Sequence, residues 1–236
     1  MILYLQKWQN RLGNNLIQLA NALHIALHHK CNIILPTHQF INKRYLVINK
    51  NANNSRMIIT AHKDFYKLKY VPNLPRDILN TNISVVKAML TELFVYESSI
   101  KYTASDLIIH IRGGDIFKNN GANKLYVAPP LSYYINIIED NSYDHIILVS
   151  EDISNPCVNE LLKRYPNIEF TIQSFEKDIG IIMGAVNIVE SYGTLIPMLC
   201  SMSKNIKTIY SPSYQMTRCN RYLNNCEIIK IPLSFY

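Results

Sequence analysis

The run Asp106-Leu107-Ile108-Ile109-His110-Ile111-Arg112-Gly113-Gly114-Asp115 sets an unbroken apolar stretch directly before a charged glycine turn. A short apolar run of this kind reads as a strand buried on both faces, as in parallel sheets. Regular alternation follows: helix Ser132 to Ile138, strand His145 to Val149, helix Pro156 to Tyr165, strand Ile168 to Ile172. Helix Lys177 to Ala185, the run Asn187 to Val189, helix Leu195 to Met202 and strand Lys207 to Tyr210 complete the series. That order predicts a parallel α/β sheet, in which ligands sit beyond the carboxyl ends of the strands.

Upstream the pattern repeats once and then loses its regularity. Met1 to Leu5 reads as a buried strand, and Gln6 to Arg11 as a polar loop ending at Gly13. Leu16, Leu19, Ala20, Leu23 and Leu27 then recur at helical steps, with Asn14 or Asn15 at the N-terminal turn. Asn32 to Leu35 gives a second strand stopped by Pro36. Residues 36 to 76 mix short β-type runs (Tyr45 to Ile48, Met57 to Thr60) with Asn, Lys and Pro in no clear order. A helix is expected from Asp77 to about Tyr96, burying Ile78, Val85, Val86, Met89, Leu90 and Leu93. The irregular stretch 97 to 105 marks a boundary, so a small N-terminal α/β lobe at 1–100 and a Rossmann-like lobe at 101–236 are expected.

The chain has 236 residues, 48% of them hydrophobic, which excludes a disordered protein. No apolar run approaches the roughly 18 residues that a membrane span needs, and Met1 to Leu5 is too short for a signal-peptide core, so a cytoplasmic protein is expected. Lys and Arg outnumber Asp and Glu by 24 to 17, for a formal charge of +7. Those charges are scattered, with no basic block of the nucleic-acid type, so a diphosphate-bearing small ligand explains them at least as well. The five cysteines (Cys31, Cys157, Cys200, Cys219, Cys226) form no Cys-x-x-Cys pair and read as reduced thiols.

Several groups stand where chemistry is expected. Arg11-Leu12-Gly13-Asn14-Asn15 reads as a glycine turn whose backbone N–H groups hold a phosphate, or equally as an Asn helix cap. His110 and Arg112 share one strand face, and the Gly113-Gly114 pair lets the chain turn toward a ligand. Arg112 offers a planar fork suited to a diphosphate; the alternative is a structural pair with Asp115. Glu151 and Asp152 end the next strand, where they either cap a helix or accept hydrogen bonds from a ligand. Asp178 opens a helix and Thr194 follows the Ser191-Tyr192-Gly193 turn, so both either cap or face the same crevice. His24, His28 and His29 lie along the first helix without a carboxylate partner and read as a solvated flank, not a metal site. No Asp-x-Asp, Gly-x-x-x-x-Gly-Lys or Gly-x-Ser-x-Gly occurs, which removes the main support for metal-bound sugar-nucleotide, P-loop and hydrolase readings.

Taken together these segments resemble the GDP-fucose-dependent fucosyltransferases. Arg11 to Gln18 is similar to the Gly-Leu-Gly-Asn-Gln-x-x-Gln start of their α-1,2 branch, and His110 to Asp115 to its His-x-Arg-Arg-Gly-Asp signature. Asp178 to Met183, then Ser191-Tyr192-Gly193-Thr194 before an Ile-Tyr-Ser-Pro strand, resembles the Asp-Leu-x-Leu-Met and Asn-Ser-Ser-Phe-Ser region. The resemblance implies a GT-B-like fold of two Rossmann-like lobes, inverting transfer from a GDP-sugar to a glycan hydroxyl, and no metal or other cofactor. It implies that His110 and Asp178 recognise guanine, Arg112 the β-phosphate, and Thr194 with the Gly13-Asn14 turn the diphosphate, with Ser191 among the donor-binding residues. Asp115, Glu151 and Asp152 become the candidate acids and bases. Two positions depart from the pattern, Gly113 in place of the second Arg and Tyr192-Gly193 within the Ser-Ser-Phe run, and they leave the sugar open.

The competing class is a catalytically silent GDP-sugar- or glycan-binding protein of the same fold. A basic RNA-binding domain would need aromatic and basic residues interleaved on one strand face, and no strand shows that. The acceptor is expected to be chosen by residues 36 to 100.

Overall fold

The computed structural model describes residues 1–51, 56–57, 77–96, 100–117, 127–214, 220–223 and 226–232, with the backbone alone at 56, 57, 115 and 220. The chain divides into two units, Met1–Val95 with Cys219–Tyr222, and Tyr96–Arg218 with Leu223–Tyr236. Both are α/β, one on a mixed and one on a parallel sheet.

In the first unit, strand β1 (Ile2–Tyr4) leads into helix α1 (Leu12–His29), and strands β2 (Asn32–Ile34), β3 (Tyr45–Leu46) and β4 (Arg56–Met57) follow. The sheet runs β3-β2-β1-β4. β1 lies parallel to β2 and β4, whereas β3 is antiparallel to β2. An all-parallel sheet was expected here; the short Leu35–Arg44 connection carries no helix, and a chain returning without a crossover pairs antiparallel.

Helix α1 starts earlier than its sequence suggests. Arg11 takes the extended cap position, and its carbonyl accepts from the N–H groups of Asn14 and Asn15. Gly13 and Asn14 therefore sit inside the first helical turn, not in a glycine turn before it, and no Asn caps the helix. The expected helix from Asp77 is also broken, into a 3₁₀ turn at Ile78–Asn80 and helix α2 (Ile83–Leu93), because Asn82 adopts a left-handed φ of 54°. Val86, Leu90 and Leu93 are buried as expected, but Val85 is 45% exposed.

The second unit holds strands β5 (Asp106–His110), β6 (His145–Val149), β7 (Glu169–Phe170), β8 (Asn187–Val189), β9 (Thr208–Pro212) and β10 (Glu227–Ile231). Helices α3 (Leu131–Glu139), α4 (Pro156–Arg164), α5 (Phe175–Gly184) and α6 (Leu195–Met202) connect them. The strand order is β10-β9-β8-β5-β6-β7, with every neighbouring pair parallel. The chain starts in the middle, walks outward to β7, returns through α5 and walks the other way. This is the doubly wound, Rossmann-like order, and it reverses between β5 and β8.

Leu107, Ile109, Ile111, Leu148 and Val189 form the core with Tyr133, Tyr134, Ile137, Val158 and Leu161 from α3 and α4. The Tyr133 hydroxyl lies within hydrogen-bond reach of the Glu190 and Tyr210 carbonyls, at 3.0 and 2.9 Å. A buried phenol answered by backbone carbonyls fastens α3 to β8 and β9. No disulfide joins Cys31, Cys157, Cys200 or Cys226, and Cys219 lies outside the described residues. No helix among the described residues is long and apolar enough to cross a membrane.

Candidate functional site

The reversal between β5 and β8 gathers four of the expected side chains. Ile111 continues the pairing of β5 with β6 by donating to the Val149 carbonyl at 2.9 Å. Alternation then sends Ile111 into the core and places His110 and Arg112 on the other face. Ser191, just beyond β8, ties both down: the Arg112 N–H donates to its hydroxyl at 3.2 Å, and the same oxygen lies 3.2 Å from His110 Nδ1. With its oxygen already accepting, Ser191 has a hydroxyl proton to offer Nδ1, which suits a His110 protonated on Nε2.

The guanidinium of Arg112 lies over the turn that opens α6. A Cβ at Gly193 would stand 3.1 Å from Arg112 Nη1, and Gly193 has a φ of 140°, so only glycine fits there. Thr194 holds the cap position of α6 without a side-chain capping bond. Planar fork, glycine turn and helix N-terminus together present donors and positive potential at one place. Tyr192 and Tyr214 flank this turn with ring centroids 6.0 Å apart and planes 30° apart.

The carboxylates lie on the β6 and β7 side. Asp152 does not cap α4; Asn155 does, by accepting from Cys157 N–H at 3.0 Å. Asp152 Oδ1 instead accepts from Gly114 N–H at 3.1 Å, Ser154 N–H at 2.9 Å and Ser154 Oγ at 2.5 Å. It braces the glycine turn, and Asn155 adds a bond from its side-chain amide to the Arg112 carbonyl at 3.0 Å. A Cβ at Gly113 would collide with Asp152 Oδ1, and one at Gly114, whose φ is 63°, with the Glu151 carboxylate. The exposed Glu151 therefore stands over the Gly114 backbone. Asp115 contributes its backbone to the 3₁₀ turn Gly114–Ile116, while its side chain lies outside the described residues.

Asp178 does not open its helix. Ser174 caps α5, accepting from Lys177 N–H at 3.4 Å, and Asp178 is buried one turn further in. Burial pushes its carboxyl up from 3.8 to about 6; a hydrogen bond from Gln173 opposes the rise, and Glu151 and Glu176 add to it. Desolvation dominates, and no cation among the described residues offsets it.

Glu190, which the sequence reading passed over, stands next to Ser191 and is 3% exposed. Burial pushes its carboxyl to about 7, against the opposing pull of Ser211 and Lys230. Lys230 Nζ donates to Ser211 Oγ at 2.7 Å, whereas Glu190 Oε2 has no hydrogen-bond partner. A lone acid inside Asn187-Ile188-Val189-Glu190-Ser191, at the end of a buried strand, was the available signal.

Gly13 and Asn14 belong to the first unit, the other candidates to the second. Of the histidines of α1, His28 is exposed and His29 half-buried, as a solvated flank requires, but His24 is not part of it. His24 is fully buried, with Nε2 2.8 Å from the Tyr222 hydroxyl, and burial with nearby Arg221 lowers its pKa to about 4. His28 and His29 pack edge to face. Among the described residues no group of three or more His, Cys, Asp or Glu is placed to hold a metal ion. No protein-family model matches the chain, and no curated protein matches it.

Proposed function

We propose that this protein is an inverting, metal-independent glycosyltransferase that moves fucose or a related sugar from a GDP-sugar to a glycan hydroxyl. The observation that carries this reading is the Arg112 guanidinium seated over the Gly193 turn at the start of α6, where the strand order reverses. As a glycosidic bond to a diphosphate breaks, negative charge grows on the β-phosphate. A preorganised fork and helix N-terminus stabilise that charge more than they stabilise the intact donor.

Further along the same ridge, the Asp178 carboxylate can accept two hydrogen bonds from the N1–H and N2–H₂ edge of guanine. In this reading His110 assists at the base, Ser191 holds His110 and Arg112 in register, and Thr194 serves the diphosphate. The two units are then the lobes of a cytoplasmic GT-B enzyme. Asp152, already accepting three hydrogen bonds on one oxygen, braces the loop, so the base that deprotonates the acceptor is Asp115 or Glu151.

A silent binder of the same fold is the second reading, favoured by one observation: Asp152 Oδ1 occupies the space a side chain at position 113 would need. Two measurements separate the cases. A thermal-shift panel of GDP, UDP and CMP tests binding, since a ligand at 100 times its dissociation constant adds about 2.7 kcal/mol of stability. Release of labelled sugar from GDP-fucose, in EDTA and with a mixed glycan acceptor, tests turnover. Stabilisation by GDP with transfer in EDTA is expected; GDP stabilisation without transfer or hydrolysis selects the silent binder. Equal shifts with UDP and GDP, or a strict need for Mn²⁺, overturns the assignment.

A further inference from the structure

In the first unit a chain of uncharged groups runs from the loop after β2 to the interior of α1. His38 Nδ1 accepts from the Phe40 N–H at 3.1 Å, so its proton sits on Nε2, which lies 3.1 Å from Asn15 Oδ1 and donates to it. Burial lowers the His38 pKa, in keeping with a ring whose Nδ1 accepts a hydrogen bond. Asn15 Nδ2 donates to the Gln9 carbonyl at 2.7 Å, and the Gln9 N–H donates to Gln18 Oε1 at 2.9 Å. Backbone groups thus dictate every orientation: Phe40 N–H sets the histidine tautomer, Gln9 C=O sets Asn15, and Gln9 N–H sets Gln18. The chain ends on Gln18 Nε2, which has no hydrogen-bond partner although Gln18 is 0% exposed. Rotating the amide would not help, because the Gln9 N–H requires an oxygen facing it.

Trp8 stands on the same loop. Its indole N–H lies 3.3 and 3.2 Å from the Pro36 and Thr37 carbonyls, and its ring meets His38 edge to face at 5.1 Å. The indole is therefore held by its edge while half-buried. A fixed aromatic ring beside neutral amide and imidazole groups, with a donor left over, suits a ligand with both C–H faces and hydroxyls. The charged neighbours on the loop, Lys7 and Arg11, are exposed.

We infer that Trp8, His38, Asn15 and Gln18 form a binding site for a neutral saccharide, one of whose hydroxyl oxygens answers Gln18 Nε2 directly or through one water. As a site for the acceptor it rests on the transfer reading; as a saccharide site it does not, since no residue of the second unit takes part.

Trp8 is the chain's single tryptophan, so its emission reports the site without labelling. The full chain, without nucleotide, is titrated with galactose, glucose, N-acetylglucosamine and lactose, and binding is confirmed by calorimetry. At least one sugar is expected to give a saturable emission change. Gln18→Met, which fills the same space without donors, should weaken it at least tenfold, and Trp8→Phe, read by calorimetry, should weaken it severalfold. Absence of saturation with all four sugars in both readouts overturns the site and leaves Gln18 serving a buried water only. Unchanged affinity in Gln18→Met overturns it too. Should Gln18→Met fail to fold, Trp8→Phe decides alone. A GDP shift in the thermal panel would be unaffected either way, so failure here and failure of the nucleotide reading are told apart.

Discussion

Both units bring polar side chains to the carboxyl ends of parallel strands, but with opposite chemistry. After β1 and β2 the groups are neutral: two amides, an imidazole whose Nδ1 accepts from a backbone N–H, and an indole. After β5, β6 and β8 they are ionic: a guanidinium, Glu151, Asp152 and the buried carboxyls of Asp178 and Glu190. The neutral cluster carries its unmet demand as an orphaned donor, the ionic one as carboxyls forced upward by burial. Each form of strain points to what relieves it, a hydroxyl in one case and a hydrogen-bond-donating or cationic ligand edge in the other.

The sharpest test of the ionic side is Arg112. Arg112→Ala should lower transfer from GDP-fucose about a hundredfold, equivalent to about 2.7 kcal/mol. Arg112→Lys should still lose at least about tenfold, because a point charge lacks the planar fork. The loss should fall on kcat more than on GDP affinity, since the charge it meets grows in the transition state. Wild-type turnover in the lysine variant would remove Arg112 from the mechanism.

Asp178→Asn should divide binding from stability. GDP affinity should fall about tenfold, the scale of losing hydrogen bonds to a charged group. The fold should become more stable above pH 6, not less. Asp178 titrates at about 6 in the fold against 3.8 for an exposed carboxyl, so between those values the native state holds the extra proton. Stability contributed by that proton is lost as pH rises through the window, and Asn carries no such penalty. Parallel loss of Tm and GDP affinity would mean that Asp178 is structural.

The second unit was legible because its period is clean. An apolar strand followed by Arg112-Gly113-Gly114, then alternating strands and helices, leaves little choice but a doubly wound sheet, and its carboxyl ridge names Arg112, His110 and Ser191. Caps were misread where several polar residues competed. Asn155 before Pro156 is a stronger helix start than Glu151 or Asp152, and Ser174 a stronger one than Asp178. The first unit resisted because α1 is buried almost all round, so its histidines and amides show no polar face. Nothing local reveals that His24 is answered by Tyr222, 198 residues away. β3 and β4, two residues each, fall below the length at which alternation can be recognised.

Gly113 links the two readings of the ionic site. Gly113→Ala should dislodge the Asp152 carboxylate and lower stability by about 1–2 kcal/mol, a Tm loss of about 2–4 °C per kcal/mol. Asp152→Ala removes the obstacle, so the double variant should be more stable than the sum of the two changes predicts. Additive losses would mean that the brace and the glycine are independent.

The smallest expected effect belongs to Glu190, which lies beside the ionic site without being exposed to it. Its carboxyl titrates near 7 in the fold against 4.5 when exposed, so the native state binds more protons than the unfolded chain across that interval. Stability should therefore fall as pH rises from about 4.5 to about 7, the Ser211 and Lys230 contacts having already offset part of the burial penalty in that value. Glu190→Gln keeps the shape, retains an acceptor for Ser211 and removes the ionisation, so its Tm should vary less over that range and exceed wild type by a few degrees at pH 8. Transfer and GDP binding should remain near wild type if Glu190 only packs behind Ser191. If they fall while Tm rises, the buried acid belongs with Arg112 and Asp178, and the ionic site extends to the Ser211–Lys230 pair.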